Sequence, residues 1–468
     1  MTVTAYRRVN ARVTGIALAA ALGGFLFGFD TAVINGAVDA LAGEFALDAA
    51  LKGFAVSSAL LGCAVGAWSA GSMANRWGRV PVMLAAAVLF LVSAVGSGLA
   101  IGVADLILWR VIGGLGVGAA SVIAPAYIAE VSPAHIRGRL GSLQQLAIVS
   151  GIFVALLSNA VLAAVSGGAA EVLWMGLPAW RWMFMVEAVP AVVYGLMSLR
   201  LPESPRYLVL RGDNDRASQV LLDFTGEPDV NLKIQQIRAS LDTERRESLR
   251  DLVGPVLGLK PIVWVGVLLS VFQQFVGINV IFYYSTTLWR SVGFDESSAL
   301  ATSVITSVTN IAVTIVAVLL VDRVGRRRLL LAGSALMAVS LGAMAAAFSF
   351  ARLVTVDGVT TAQLDAPWSI IALIAANAFV VGFGATWGPI VWVLLGEMFP
   401  NRLRASALAV AAAAQWVANF AISTTFPVLS EMGLSLAYGF YAVCAAASYF
   451  FVRAKVPETK GMELEDMR

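Results

Sequence analysis

The sequence predicts an all-α membrane protein: twelve transmembrane helices in two pseudo-symmetric six-helix bundles, with cytoplasmic helices between them. Three observations predict it: the composition, a regular series of apolar runs, and an internal duplication. Of the 468 residues 59% are hydrophobic and 13% charged, against roughly 45–50% and about 25% in soluble domains. A water-soluble globule is thereby excluded. The formal net charge of +3 sits in loops, which makes it an orientation signal and not a nucleic-acid surface. Both cysteines, Cys63 and Cys444, fall in apolar runs and His135 in a short loop, a pattern that argues against disulfide scaffolds and zinc sites.

A crossing needs about 20 apolar residues. Such runs stand at about 13–36, 53–74, 81–101, 106–130, 140–165 and 181–201 in the first half of the chain. They recur at about 260–287, 299–321, 329–350, 367–397, 405–428 and 435–453. The first is longer than a signal h-region and carries Asp30, so it is read as a retained helix. Lys and Arg crowd one set of alternate loops (Arg76, Arg79, Arg137, Arg139, Arg323, Arg326, Arg327, Arg328, Arg402, Arg404), whereas the opposite loops hold Lys52, Arg290 and Arg352. The positive-inside rule then places both termini in the cytoplasm. The hydrophilic insert at 202–259 mixes both charge signs with helix formers, which predicts amphipathic helices on the inner face. The organisation is therefore a bundle at 1–201, a linker domain at 202–259, a second bundle at 260–453 and a tail at 454–468.

The halves repeat one another. ANRWGR (74–79) matches VDRVGR (321–326), AEVSPAHIRGR (129–139) matches GEMFPNRLRAS (396–406), and LPESPRYL (201–208) matches VPETKGMEL (456–464). Ordered repeats of this kind are typical of secondary carriers, with the substrate site near the midplane between halves. A Walker loop needs Lys after Gly, and none of the five lysines follows a glycine. Concentrative work is thus expected from an ion gradient, with no cofactor.

Two ionisable residues lie inside apolar runs at similar outer depth. Asp30 is about 17 residues, or ~26 Å, into the first helix, and Arg110 is a few residues past the outer start of the fourth. They can meet. Intramembrane charges are usually paired or functional, so the pair is either a static lock or a site that loads and releases a proton.

These residues resemble the sugar porters of the major facilitator superfamily. The resemblance runs from FGFD (27–30) to PETKG (457–461) through NRWGR (75–79), RVIGGLGVG (110–118), YIAEVSPAHIRGRLGSLQQ (127–145), WRWM (180–183), PESPRYL (202–208), QQFVGIN (273–279), VDRVGRRR (321–328) and WGPIVWVLLGEMFP (387–400). Asn75 and Val80 depart from the wider superfamily pattern, where Asp and a basic residue are common. The resemblance implies the major facilitator fold and proton-coupled monosaccharide symport in the cell membrane by a monomer among lipids. Asp30 is then the proton site and Arg110 its tuner. It also implies that the duplicated charges Arg76, Arg79, Glu130, Arg137, Glu187, Glu203, Asp322, Arg326, Glu397 and Arg404 form a cytoplasmic salt-bridge latch joining the halves when the cavity opens outward. A passive facilitator, or a proton symporter of a pentose or myo-inositol, is the alternative. A membrane-embedded enzyme lacks a nucleophile–base set or metal cluster in the helices.

For the sugar, neutral amides both donate and accept, matching hydroxyls without adding charge. Gln145, Gln273, Gln274, Asn279, Asn310 and Gln415 occupy positions that match the family's sugar contacts, with Trp392 and Trp416 as aromatic platforms. Asn159, Asn377 and Asn419 read as helix-packing amides, and Trp174, Trp180 and Trp289 as interfacial anchors. Phe25, Phe383, Tyr283, Tyr284 and Gly388 are expected as walls or gates. Ile148 and Ile152 make one side apolar, and Ile152 resembles the residue of glucose carriers, implying a hexose. On an ideal helix Gln273 and Asn279 point about 240° apart, so Gly277 is expected to permit local unwinding. Gly384, Gly388 and Pro389 are expected to do the same in the tenth run.

Overall fold

The computed structural model describes residues 3–133, 136–225, 229–244, 249–356, 359–399 and 403–459. His135 and the side chains of Arg137, Asp322 and Arg404 lie outside the described residues. Twelve crossings are present, eleven of them helices long and apolar enough to span a membrane. The first five are Val3–Glu44, Ala49–Trp77, Arg79–Gly98, Val103–Val131 and Arg137–Ser166. The sixth is in two pieces, Ala179–Val186 and Ala188–Ser198, meeting at Glu187.

The second half repeats the plan with two irregular crossings. The seventh runs Pro261–Phe275, breaks, and resumes as Ile278–Tyr283 and Ser285–Ser291. Glu296–Val324 and Arg326–Phe348 follow. The tenth contains a π-helical turn, Phe383–Trp387, between Trp368–Gly382 and Gly388–Met398. Arg404–Met432 and Leu434–Lys455 complete the bundle. The insert folds as short helices (Pro205–Leu210, Asn214–Val220, Val230–Glu244) around an apolar cluster of its own with Leu208, Val209, Val220 and Ile234.

Small residues set how closely the helices approach. Gly62, Gly66, Gly114 and Gly118 bring the second and fourth helices backbone to backbone, where any Cβ would strike a carbonyl. This is the close packing by which membrane helices associate without a hydrophobic driving force.

Between the halves, polar contacts lie on the outer side. Asn35 Nδ2 donates to Ser285 Oγ at 2.6 Å, and Thr286 N donates to Asn35 Oδ1 at 3.0 Å. Asp39 takes Lys52 Nζ at 2.7 Å and, from the seventh crossing, Arg290 at 3.4 Å. Ser57 and Thr424 join the second and eleventh helices at 2.6 Å. The bundles are thus pinned together at their outer ends.

Candidate functional site

The break in the seventh crossing is at Gly277, whose φ of +84° suits glycine and whose position faces the Tyr441 ring. Unwinding there brings the amides on either side of the break onto a common face. Asn279 Nδ2 donates to Gln274 Oε1 at 2.6 Å, and Gln274 Nε2 to Gln273 Oε1 at 3.3 Å. Gln273 Nε2 then donates to the carbonyls of Trp387 and Gly388 at 2.9 and 3.2 Å. Those carbonyls lie at the end of the π-helical stretch of the tenth crossing. The two irregular helices are therefore stitched together by one directional chain of amides.

Of the expected aromatic platforms, Trp416 is buried and Trp392 is 41% exposed. Gln415 Oε1 is buried and accepts no hydrogen bond from any described residue. Asn310 is buried, with Oδ1 against Gly384. Phe383 packs on Gly388. Tyr284 donates to the Ser423 carbonyl at 3.0 Å, and the Tyr283 hydroxyl bonds Asn419. From the N-terminal half, Gln145, Ile148 and Ile152 are half-buried on the fifth helix. Asn159 and Asn377 bond backbone carbonyls, of Val33 at 2.9 Å and Leu373 at 3.0 Å, as packing amides do.

Phe25 does not face this space. It pairs with Phe29 at 6.2 Å. Phe27, on nearly the opposite side of the same helix, meets Trp416 of the other half at 5.7 Å. Phe27, which sequence reasoning missed, is thus the first-helix ring that meets the other half, and no signal in the sequence of one helix says which of its faces turns to Trp416. Trp180 and Trp289 are not interfacial either; both are fully buried, with Trp180 Nε1 donating to Glu44 at 2.8 Å.

Asp30 and Arg110 do meet. Arg110 Nη1 lies 2.9 Å from Asp30 Oδ1 and 3.3 Å from its backbone oxygen, with both side chains almost fully buried. The guanidinium also lies over the Phe184 ring at 5.8 Å. Glu187, expected in the cytoplasmic latch, is instead buried beside this pair, its carboxyl within hydrogen-bonding reach of Asp30. Its displacement from the latch has a simple cause: it sits near the middle of the sixth crossing, where the two helical pieces meet. Asp30 Oδ2 and Glu187 Oε1 accept no hydrogen bond from any described N–H or hydroxyl donor. Tyr283, from the C-terminal half, is close enough to feel the charges of Asp30 and Arg110.

The remaining duplicated charges form twin clusters. Arg79 binds Glu130 in a fork (2.8 and 3.0 Å), and Arg326 binds Glu397 likewise (2.8 and 3.1 Å). Glu203 accepts from the backbone N–H of Arg79 and Val80 at 2.9 and 3.2 Å; Glu458 accepts from Arg326 and Arg327 at 2.9 and 3.2 Å. Gly78 and Gly325, which precede these helices, have no side chain with which to cap them. A carboxylate borrowed from the end of each bundle supplies the cap instead. Ser204 and Thr459 complete the repeat by bonding Glu130 and Glu397. The forks Arg79–Glu130 and Arg326–Glu397 each lie within one half, and Arg76 is exposed.

Residues 16–468 match the family model described as "Sugar (and other) transporter". The chain belongs to this family. It is 56% identical over 450 residues to a glucose transport protein of Synechocystis sp., covering 96% of this chain and 95% of that protein. It is 38% identical over 488 residues to the D-xylose-proton symporter of Escherichia coli (strain K12), covering 97% and 95%. Among solved structures, the xylose transporter XylE from E. coli in a partially occluded inward open conformation matches with a TM-score of 0.82. That match is 36% identical over 96% of this chain and 99% of that one. XylE bound to 6-bromo-6-deoxy-D-glucose matches with a TM-score of 0.80, at 36% identity and 98% of each chain. This family member is a multi-pass protein of the cell membrane with the twelve-helix major facilitator fold.

Proposed function

We propose that the protein is a proton:monosaccharide symporter for D-glucose or a related hexose, working as a monomer by alternating access. The observation that carries the coupling is the buried cluster of two carboxyls and one guanidinium, Asp30, Glu187 and Arg110. One arginine balances one carboxylate; the cluster is neutral when it also holds one proton, and that proton satisfies the two carboxyl oxygens that lack a donor. Tyr283 sits one helical turn from Asn279 of the amide chain and within electrostatic range of the charge cluster, which supports a link between the sugar and proton sites.

Gln145, Gln273, Gln274, Asn279, Asn310 and Gln415 hold the sugar hydroxyls, with Trp392 and Trp416 against its apolar face. Without sugar, the amides satisfy one another. With sugar, they exchange those bonds for hydroxyls, and Ile148 and Ile152 keep one side apolar. Substrate preference for a hexose is supported by the 56% identity to a glucose transport protein, against 38% to a xylose symporter. The twin Arg–Glu forks brace the cytoplasmic ends and bridge the halves when the inner side closes.

Uptake into proteoliposomes, with and without an imposed proton gradient and against a panel of unlabelled hexoses and pentoses, tests the reading. Each charge moved through 100 mV gains about 2.3 kcal/mol, enough to concentrate sugar. Asp30→Asn keeps the shape but cannot titrate, so accumulation and sugar-driven alkalinisation should vanish while sugar binding survives. A variant that still concentrates sugar on a proton gradient makes Asp30 structural.

A further inference from the structure

The proton has to leave the cluster for the cytoplasm, and the N-terminal half contains a second line of buried polar groups that the sugar pocket does not use. On the first helix, Asp30, Gly23, Ala19, Ile16 and Arg12 follow one another at intervals of one or two helical turns. Each therefore falls within about 40° of the direction of Asp30, on one face. On the sixth crossing Glu187, Tyr194 and Ser198 succeed one another in the same way, again on one face.

These faces pack together. A Cβ at Gly23 would lie 2.9 Å from the Tyr194 hydroxyl; on the adjoining face of the first helix, one at Gly24 would lie 2.6 Å from Gln144 Nε2 of the fifth helix. Tyr194 and Ser198 are fully buried, Gln144 is 8% exposed, and the Tyr194 hydroxyl, the Ser198 hydroxyl and both amide atoms of Gln144 make no hydrogen bond to any described residue. Native interiors rarely tolerate so many orphan polar atoms together, and bridging water is their usual partner. Along the helix axis, Gly23 lies about 10 Å on the cytoplasmic side of Asp30, and Ala19 a further ~6 Å. There a cavity of about 550 Å³ opens, lined by Arg12, Gly15, Ala19, Arg200 and Asp223 among others.

We propose that this seam between the first and sixth helices is the proton-release route, inside the N-terminal half and separate from the sugar's path between the halves. It rests on the symport reading above. The groups facing its upper end are Asp30, Glu187, Arg110 and Cys63, with Tyr283 from the other half. In each transfer an O–H bond breaks at the carboxyl as one forms on an adjoining water. The Tyr194 oxygen then accepts a proton while its own passes to the next water. The proton ends in cytoplasmic water or on the Asp223 carboxylate, and the cluster left behind, two carboxylates against Arg110, carries one net negative charge until it is reloaded.

The parent protein is measured first in proteoliposomes. Absence of sugar-driven alkalinisation there refutes symport itself. With coupling established, Tyr194→Phe removes one oxygen and should slow proton-driven uptake about tenfold, equivalent to roughly 1.4 kcal/mol of barrier, and enlarge the solvent deuterium effect. Sugar counterflow, which returns the loaded carrier without releasing the proton, should be unchanged, and Ser198→Ala should act in the same direction. Unslowed coupled uptake in both variants overturns the route while leaving symport intact. Equal loss of counterflow and coupled uptake in both makes the residues structural and overturns it as well.

Discussion

Gln274 holds the middle of the amide chain, so its removal gives a sharp measure of the sugar pocket. Gln274→Ala deletes two hydrogen bonds, the 2.6 Å bond from Asn279 and the 3.3 Å bond to Gln273, and leaves Asn279 without the partner that orients it. In the sugar-bound state the hydroxyl that Gln274 would hold is left without its buried partner, which costs about 1–3 kcal/mol of sugar affinity. With tenfold per 1.4 kcal/mol, Kd should rise roughly five- to 150-fold. With Trp392 and Trp416 proposed to lie against the sugar, intrinsic fluorescence titrated with glucose should report Kd, and calorimetry provides a second measurement. Asn279→Ala should lose affinity in the same range. Both variants should elute as the parent does in size-exclusion chromatography. Unchanged glucose affinity in both, with unperturbed folding, would refute the assignment of this amide chain to the substrate.

Three further expectations test the frame around the pocket. Gly277→Ala places a Cβ at φ +84° and within 2.8 Å of the Tyr441 ring; with left-handed backbone costing roughly 1–2 kcal/mol, both the melting temperature and sugar affinity should fall. Asp39→Asn weakens the outer contacts to Lys52 and Arg290, so spin labels at Leu51 and Met432 should report a larger outward-open population by pulsed distance measurement; an unchanged distribution removes Asp39 as an outer fastener. Arg326→Ala takes the forked partner from Glu397 and should bias the carrier inward, slowing transport more than binding; equal inner-side accessibility to thiol labelling in variant and parent would reduce the cluster to an orientation signal.

By itself the sequence determined the environment, the number of crossings, the orientation and the duplication, because these depend on local hydropathy and on charge bias in loops. Periodicity and Gly277 were enough to foresee a break in the seventh helix, and depth arithmetic was enough to bring Asp30 towards Arg110. Tertiary structure alone decided three things. Glu187 reads as one more charge near a helix end, yet the broken sixth crossing carries it into the protein interior beside Asp30. Phe27 and not Phe25 meets the other half, because which face of the first helix turns to Trp416 is fixed by the packing of twelve helices and not by the hydropathy of one. Glu203 and Glu458 serve as helix caps across more than a hundred residues, a role invisible in sequence since the donors they satisfy belong to a distant backbone. Local chemistry fixes what each segment is; only the closing of one bundle around another fixes which polar groups are left facing each other in a medium where water cannot easily reach them.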